Sequence, residues 1–263
     1  MFESYQTITF QRSGRILEVT LNRPDKLNAT DALMHEELAR LFFDVSNDPD
    51  SDVVVLTGAG RAFSAGGDIG WMQSMIDDPS AFEKTAREGK QLVLSLLDCE
   101  KPVIAKLNGH ATGLGATIAL LCDVIFASET AKIGDPHVSV GFVAGDGGAL
   151  IWPQLIGYAR AKEFLLTGDL MTATQAAQIG LINHAVPAEA LDQTVQAFAE
   201  RLAGGAIKAI RWTKMSVNIP LRQMAESMMN ASLAYEALSN MTKDHQEAVS
   251  AFREKRQPRF VGQ

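Results

Sequence analysis

Val53-Val54-Val55-Leu56-Thr57-Gly58-Ala59-Gly60-Arg61-Ala62-Phe63-Ser64-Ala65-Gly66-Gly67-Asp68-Ile69 is the stretch on which the fold turns. Its first four residues are all apolar, which predicts a short strand buried on both faces. The strand runs straight into glycines, and that order invites a dinucleotide-binding reading. Such a motif needs a third glycine where the helix approaches the strand, and Phe63 stands there instead. The turn therefore needs another explanation.

Outward from this stretch, strands and helices alternate. Ile16 to Leu21 places Leu17, Val19 and Leu21 on one face and Glu18 and Thr20 on the other, until Asn22-Arg23-Pro24-Asp25 stops the strand. A helix is expected after Thr30-Asp31, with Leu33, Met34, Leu38, Leu41, Phe42 and Val45 on one stripe. Phe82 to Leu97 reads as a second helix, and Pro102 to Leu107 as a strand feeding the loop Asn108 to Gly115. Ala116 to Leu121 continues as helix and Asp123 to Ala127 returns as strand. Thr172-Ala173-Thr174-Gln175 has the capping-box pattern, with Gly180 placed to end that helix. From Leu191 the pattern is helical almost throughout: Leu191, Val195, Phe198 and Leu202 form one stripe, and Met224, Met228, Leu233 and Leu238 belong to later helices. The expectation is an α/β core over residues 1–195 and a helical C-terminal region over 196–263. The apolar stripes of that tail suit either a neighbouring subunit or the chain's own core.

Composition removes whole classes of function. With 263 residues the chain is long enough for a sizeable core. Its 24 Lys and Arg against 31 Asp and Glu leave a net charge of -7, the wrong sign for a nucleic-acid binder. Cys99 and Cys122 make no disulfide framework, no apolar leader opens the sequence and no stretch is long enough to span a bilayer, so a cytoplasmic location is expected. His35-Glu36-Glu37-Leu38-Ala39 starts like a zinc-protease helix but has Ala where the second histidine belongs, so no metal site follows. There is neither a Gly-x-Ser-x-Gly elbow nor a P-loop.

What remains is two glycine-rich turns, Ala65-Gly66-Gly67-Asp68-Ile69 and Gly113-Leu114-Gly115-Ala116, each leading from a strand towards a helix. Glycine lets backbone N–H groups approach a ligand, and a helix N-terminus adds unpaired donors and a partial positive charge. Singly, each is an ordinary strand–helix turn. Aimed at one point, the two make an oxyanion hole.

Several ordered motifs carry a resemblance. They are Leu21-Asn22-Arg23-Pro24 with Asn28-Ala29, Gly58 to Ile69, and Asn108-Gly109-x-Ala111-x-Gly113-Leu114-Gly115 with Cys122-Asp123. Gly145-Asp146-Gly147-Gly148, Ala161-Lys162-Glu163 with Leu166-Thr167-Gly168, Ala176 to Asn183, and the ending Phe252 to Phe260 continue it. Over nearly its whole length the sequence resembles the crotonase superfamily, the enoyl-CoA hydratase/isomerase proteins. The resemblance implies a spiral of ββα units, a helical region that builds trimers or paired trimers, and a CoA thioester as substrate with no separate cofactor. It implies that the N–H groups of Gly67 and Leu114 hold the thioester oxygen. It further implies that the substrate's surroundings are Lys26, Leu27 and Ala29, then Ala65, Gly66, Asp68, Ile69 and Trp71, then Gly113 and Thr117, and finally Phe252 and Lys255. Lys26, Phe252 and Lys255 would serve the CoA end. Trp71 and its neighbour Met72 would face the acyl chain, with Asp68 bonded to nearby backbone N–H groups.

The pattern also departs from the family. Its hydratases add water with two glutamates, and the matching positions here hold Thr117 and His137. The two-glutamate mechanism does not carry over. An imidazole pKa of about 6.5 suits His137 to acid–base work. Asp146 either orients and charge-stabilises His137 or is itself the base. The β-diketone C–C hydrolases of the superfamily resemble this chain in having His and Asp at this spacing in this pair of loops. Three functions follow as expectations: hydration/dehydration or isomerisation of an acyl-CoA through an enolate, hydrolytic cleavage of a β-diketone, or acyl-CoA binding without catalysis.

Overall fold

The computed structural model describes residues 2–263. A hairpin of β1 (Ile8–Ser13) and β2 (Ile16–Leu21) opens the chain. The loop after it leads to α1 (Ala32–Asn47), whose first turn is capped by Asp31, the side chain accepting from Met34 N at 2.9 Å. Then β3 (Val53–Gly58), β4 (Ala62–Ser64), α2 (Ile69–Asp77) and α3 (Phe82–Asp98) follow. The same order repeats in β5 (Val103–Leu107), β6 (His110–Thr112) and α4 (Leu114–Leu121), and again in β7 (Val124–Ser128), β8 (Lys132–Gly134) and α5 (Gly148–Thr167). The remaining elements are β9 (Met171–Thr172), α6 (Ala173–Gln178), β10 (His184–Val186), α7 (Leu191–Ala203), α8 (Ile207–Asn240) and α9 (Lys243–Glu254).

The repeat is a spiral. One sheet has the order β1-β2-β3-β5-β7-β10 and the other β4-β6-β8-β9. Each of β3, β5 and β7 lies in the first sheet and hands the chain to a short strand of the second, after which helix returns it. Parallel neighbours such as Val54 opposite Val103 and Ala105 opposite Ile125 set the register. β3 is buried along its length: Val54 and Leu56 face the main core, while Val53 and Val55 face Leu191, Val195 and Ala199 of α7.

Three readings change in detail. Leu33 is 38% exposed, because the buried stripe of α1 centres on Met34, Leu38, Leu41 and Val45 and Leu33 lies one residue's rotation off it. The division drawn at residue 195 falls inside α7, which is bound to the first sheet by its apolar face, so the helical tail begins at α8. That tail is one 34-residue helix followed by α9 rather than several, and Leu238 lies off its buried stripe of Ala225, Met229, Leu233 and Glu236. No helix among the described residues is long and apolar enough to cross a membrane.

Candidate active site

A cleft of about 690 Å³ opens where the loop after β2, the turn after β4 and the N-terminus of α4 meet. The two glycine turns do converge here. Gly66 (φ +82°) and Gly113 (φ +54°) have backbone that glycine alone adopts readily. A Cβ on Gly113 would lie 3.7 Å from Gly66 Cα and 3.6 Å from His137 Cε1. Bare backbone from two separate repeats and one imidazole ring thus share a single wall.

The hydrogen bonds of the first turn leave one donor over. Thr30 N donates to Gly66 O at 2.7 Å and Asp68 N to Thr30 O at 2.9 Å. The Asp68 carboxylate caps α2, accepting from Gly70 N at 2.8 Å and Trp71 N at 3.4 Å. Gly67 N–H has no acceptor among the described residues. At the second turn, Gly113 N donates to Gly134 O at 3.1 Å, and Leu114 N–H, in the first turn of α4, is likewise unpaired among the described residues.

Behind these donors lies a buried titratable group. His137 Nδ1–H donates to Asp135 Oδ1, while His137 Nε2 faces Asp146 Oδ2 at 3.6 Å. Asp146 Oδ1 in turn accepts from Thr117 Oγ1 at 3.2 Å and Gly148 N at 3.3 Å. Burial works against charge on His137, but the carboxylates of Asp135 and Asp146 outweigh it and hold its pKa well above the ordinary imidazole value. Burial pushes Asp146 up, partly offset by His137. Glu236 of α8 is buried beside the same loop with Oε2 unpartnered, and burial followed by the charge of Asp146 raises its pKa far above the usual carboxylate range.

Most expected residues come together. Lys26, Leu27, Ala29, Ala65, Gly66, Gly67, Asp68, Ile69, Gly113, His137 and Phe252 line the cleft, as does Met72. Thr117 and Asp146 stand behind His137, buried, and Leu114 lies directly behind Gly113. Two residues are elsewhere. The Trp71 ring lies 5.0 Å from that of His35, because α2 turns that side chain towards α1. Lys255 is exposed just past α9 and is not on the cleft wall.

Sequence reasoning passed over Asp135 and Glu236. Asp135 sits two residues before His137, and that spacing alone does not say which ring nitrogen it meets. Glu236 left a fainter sign, a lone acid on the buried stripe of α8. The orienting role on Nδ1 belongs to Asp135, so Asp146 is left facing the other nitrogen. Asp135, His137 and Asp146 also present ligand-type atoms within 4.8 Å of one another. The ring spends its two nitrogens on different carboxylates, Nδ1 on Asp135 and Nε2 opposite Asp146.

The sequence matches the enoyl-CoA hydratase/isomerase family over residues 11–263. A probable enoyl-CoA hydratase of Mycobacterium tuberculosis is 34% identical, over 98% of this chain and 99% of the relative. Among solved structures, an enoyl-CoA hydratase/isomerase from Mycobacterium paratuberculosis superposes with a TM-score of 0.90 at 38% identity, covering 94% of this chain and 99% of the other. A β-diketone hydrolase from the cyanobacterium Anabaena, bound to (S)-3-oxocyclohexyl acetic acid, superposes with a TM-score of 0.85 at 32% identity, covering 91% and 96%. With the spiral of two sheets, the cleft at its glycine turns and near-complete coverage in agreement, the chain belongs to the enoyl-CoA hydratase/isomerase family.

Proposed function

We propose that this protein is a lyase or isomerase acting on a CoA thioester, whose carbonyl oxygen is held by the N–H groups of Gly67 and Leu114 while His137 and Asp146 move protons. The observation that carries the reading is the convergence of two unpaired backbone donors, from two repeats of the spiral, beside a buried imidazole. Donors fixed before reaction stabilise a developing enolate without reorganisation, and losing one costs roughly 2.7–4 kcal/mol in comparable sites.

In the hydration direction, a water oxygen bonds to the β carbon and its proton passes to Asp146. The C=C electron pair moves through the α carbon to the thioester oxygen, and the enolate is held by Gly67 and Leu114. His137 Nε2–H then gives its own proton to the α carbon, and the proton held on Asp146 passes to Nε2, restoring both groups. Asp135 keeps the ring in the tautomer and orientation this requires, and its charge favours the imidazolium that acts as acid. In isomerisation Asp146 alone takes a proton at one carbon and gives it back at another, a task suited to a carboxyl whose pKa is raised. Lys26 and Phe252, at the cleft wall, serve the CoA moiety, and the apolar faces left on α8 serve a trimer.

The second reading is hydrolytic C–C cleavage of a β-diketone. The likeness to the Anabaena hydrolase and the His137–Asp146 pair favour it. The two separate when purified protein is incubated with crotonyl-CoA and with a cyclic β-diketone while absorbance is followed. Turnover of the CoA ester alone supports the first reading, and turnover of the diketone alone sinks it. Inertness towards a broad acyl-CoA panel combined with tight CoA-ester binding by calorimetry identifies a binder without catalysis.

A further inference from the structure

The polar groups around the two donor turns lead back to a buried pair that the chemistry above does not use. Leu27 and Asn28 both have left-handed backbone, with φ +54° each. Two successive non-glycine residues in that region persist only where their surroundings over-determine them. Asn28 is fully buried and supplies that determination. Its Oδ1 accepts from Arg23 N at 2.9 Å, and its Nδ2 donates to Ala59 O at 2.9 Å and Ala62 O at 2.8 Å. Its main-chain oxygen accepts from Ser64 Oγ at 2.8 Å, and Ser64 Oγ accepts from Gly66 N at 3.3 Å. Leu27 O meanwhile accepts from Ala65 N at 3.0 Å.

Ser64 also touches the second turn. A Cβ on Gly115 would lie 2.6 Å from Ser64 Cβ and 2.8 Å from its Oγ, so the α4 N-terminus rests directly on this side chain. Ser64 therefore stands between both turns, hydrogen-bonded to one and in contact with the other.

We propose that Asn28 and Ser64 are positioning residues of the two-donor site: Asn28 holds the left-handed loop, and Ser64 carries that placement into Gly66–Gly67 while setting the distance to the N-terminus of α4. The inference rests on the thioester reading above and says what makes that site rigid. With Gly66 N, Gly66 O, Ala65 N and Asp68 N all tied, the first turn offers Gly67 N–H to a ligand at a fixed place. Donors of this kind lose their effect steeply with displacement, about 100-fold in rate for an ångström.

The test uses trans-cinnamoyl-CoA, a conjugated thioester whose absorption moves to longer wavelength as its carbonyl is polarised, together with steady-state kinetics on crotonyl-CoA. The wild-type protein is expected to bind the probe with a red shift. Ser64→Ala, which leaves the Asn28 amide bonds in place, is expected to lose at least about half of that shift and about tenfold in kcat, with KM within about threefold. Gly115→Ala, which presses on Ser64 from the other turn, is expected to show the same pattern. Asn28→Ala should lose more, and Ser64→Ala decides the matter should Asn28→Ala fail to fold. A purely structural role would lower Tm with shift and kcat intact, and that result in Ser64→Ala and Gly115→Ala overturns the inference alone. A wild-type protein that binds the probe without any shift overturns the thioester reading and the inference with it.

Discussion

At the residue scale, the buried cluster of His137, Asp135, Asp146 and Glu236 decides how the site responds to substitution and pH. Asp135 meets the ring nitrogen that does not face Asp146, so Asp135→Asn removes the charge that favours imidazolium. The His137 pKa then falls, and the alkaline limb of kcat/KM should move to lower pH, measurable in a pH–rate profile on the productive substrate. His137→Ala and Asp146→Asn should each lower kcat by roughly 10²–10⁴-fold. If both retain turnover within a few-fold of the parent, the acid–base assignment is wrong. Glu236 supplies a separate stability prediction. Its folded-state pKa is raised by burial, so the folded protein holds this proton after the unfolded chain has released it. Stability from this group is therefore fully present below the unfolded value of about 4.3 and declines as pH rises from there towards the raised value. Glu236→Gln should abolish that decline, giving a larger gain in Tm at pH 8 than at pH 5 in paired thermal melts. Equal changes at the two pH values would show that Glu236 is not held neutral.

At the element scale, what could be read from the chain depended on strand length. Ile16–Leu21 came out with both ends correct because six residues give three full alternations of face. β4, β6 and β8 have three residues each and β9 has two, too few to show any period, so the sequence pattern puts β6 in the loop Asn108 to Gly115 and marks none of the four as a strand. The Thr172 capping box, by contrast, is a side-chain pattern of fixed spacing and forms as expected, with Gln175 N donating to Thr172 Oγ1 at 3.2 Å. The site followed the same division. Its glycine turns are visible as local motifs, whereas their meeting, which depends on the second sheet, is reached from the sequence only through the family resemblance. Asp68 shows how an element carries the site. Its carboxylate caps α2, the helix that brings Ile69 and Met72 to the cleft. Asp68→Ala should cost about 1 kcal/mol in urea denaturation and, by loosening that first turn, raise KM for the acyl-CoA. An unchanged KM with the full stability loss would separate α2 from substrate binding.

At the scale of the whole molecule, a net charge of -7 has to be reconciled with an anionic ligand. On the proposed reading, CoA would bind through local donors and placed cations such as Lys26 at the cleft wall, not through a general field. The same scale exposes a second demand. Trp212, Val217, Ile219, Tyr235, Leu238 and Met241 are each more than half exposed, and nearly all lie along α8. A single helix whose buried stripe already faces its own core has no further use for apolar residues on its other sides, and leaving them in water forgoes about 25 cal/mol for every Å². The expected occupant is another copy of the chain, in a trimer or a pair of trimers. Sedimentation velocity at micromolar concentration should therefore show no monomer boundary. Leu238→Glu with Met241→Glu alters side chains that the protomer itself leaves exposed, so it should shift the distribution towards monomer while the circular dichroism spectrum stays that of the folded protein. A wild-type chain that sediments as a monomer, or a double variant that keeps the parent's assembly, would mean that these faces of α8 do not hold the subunits together.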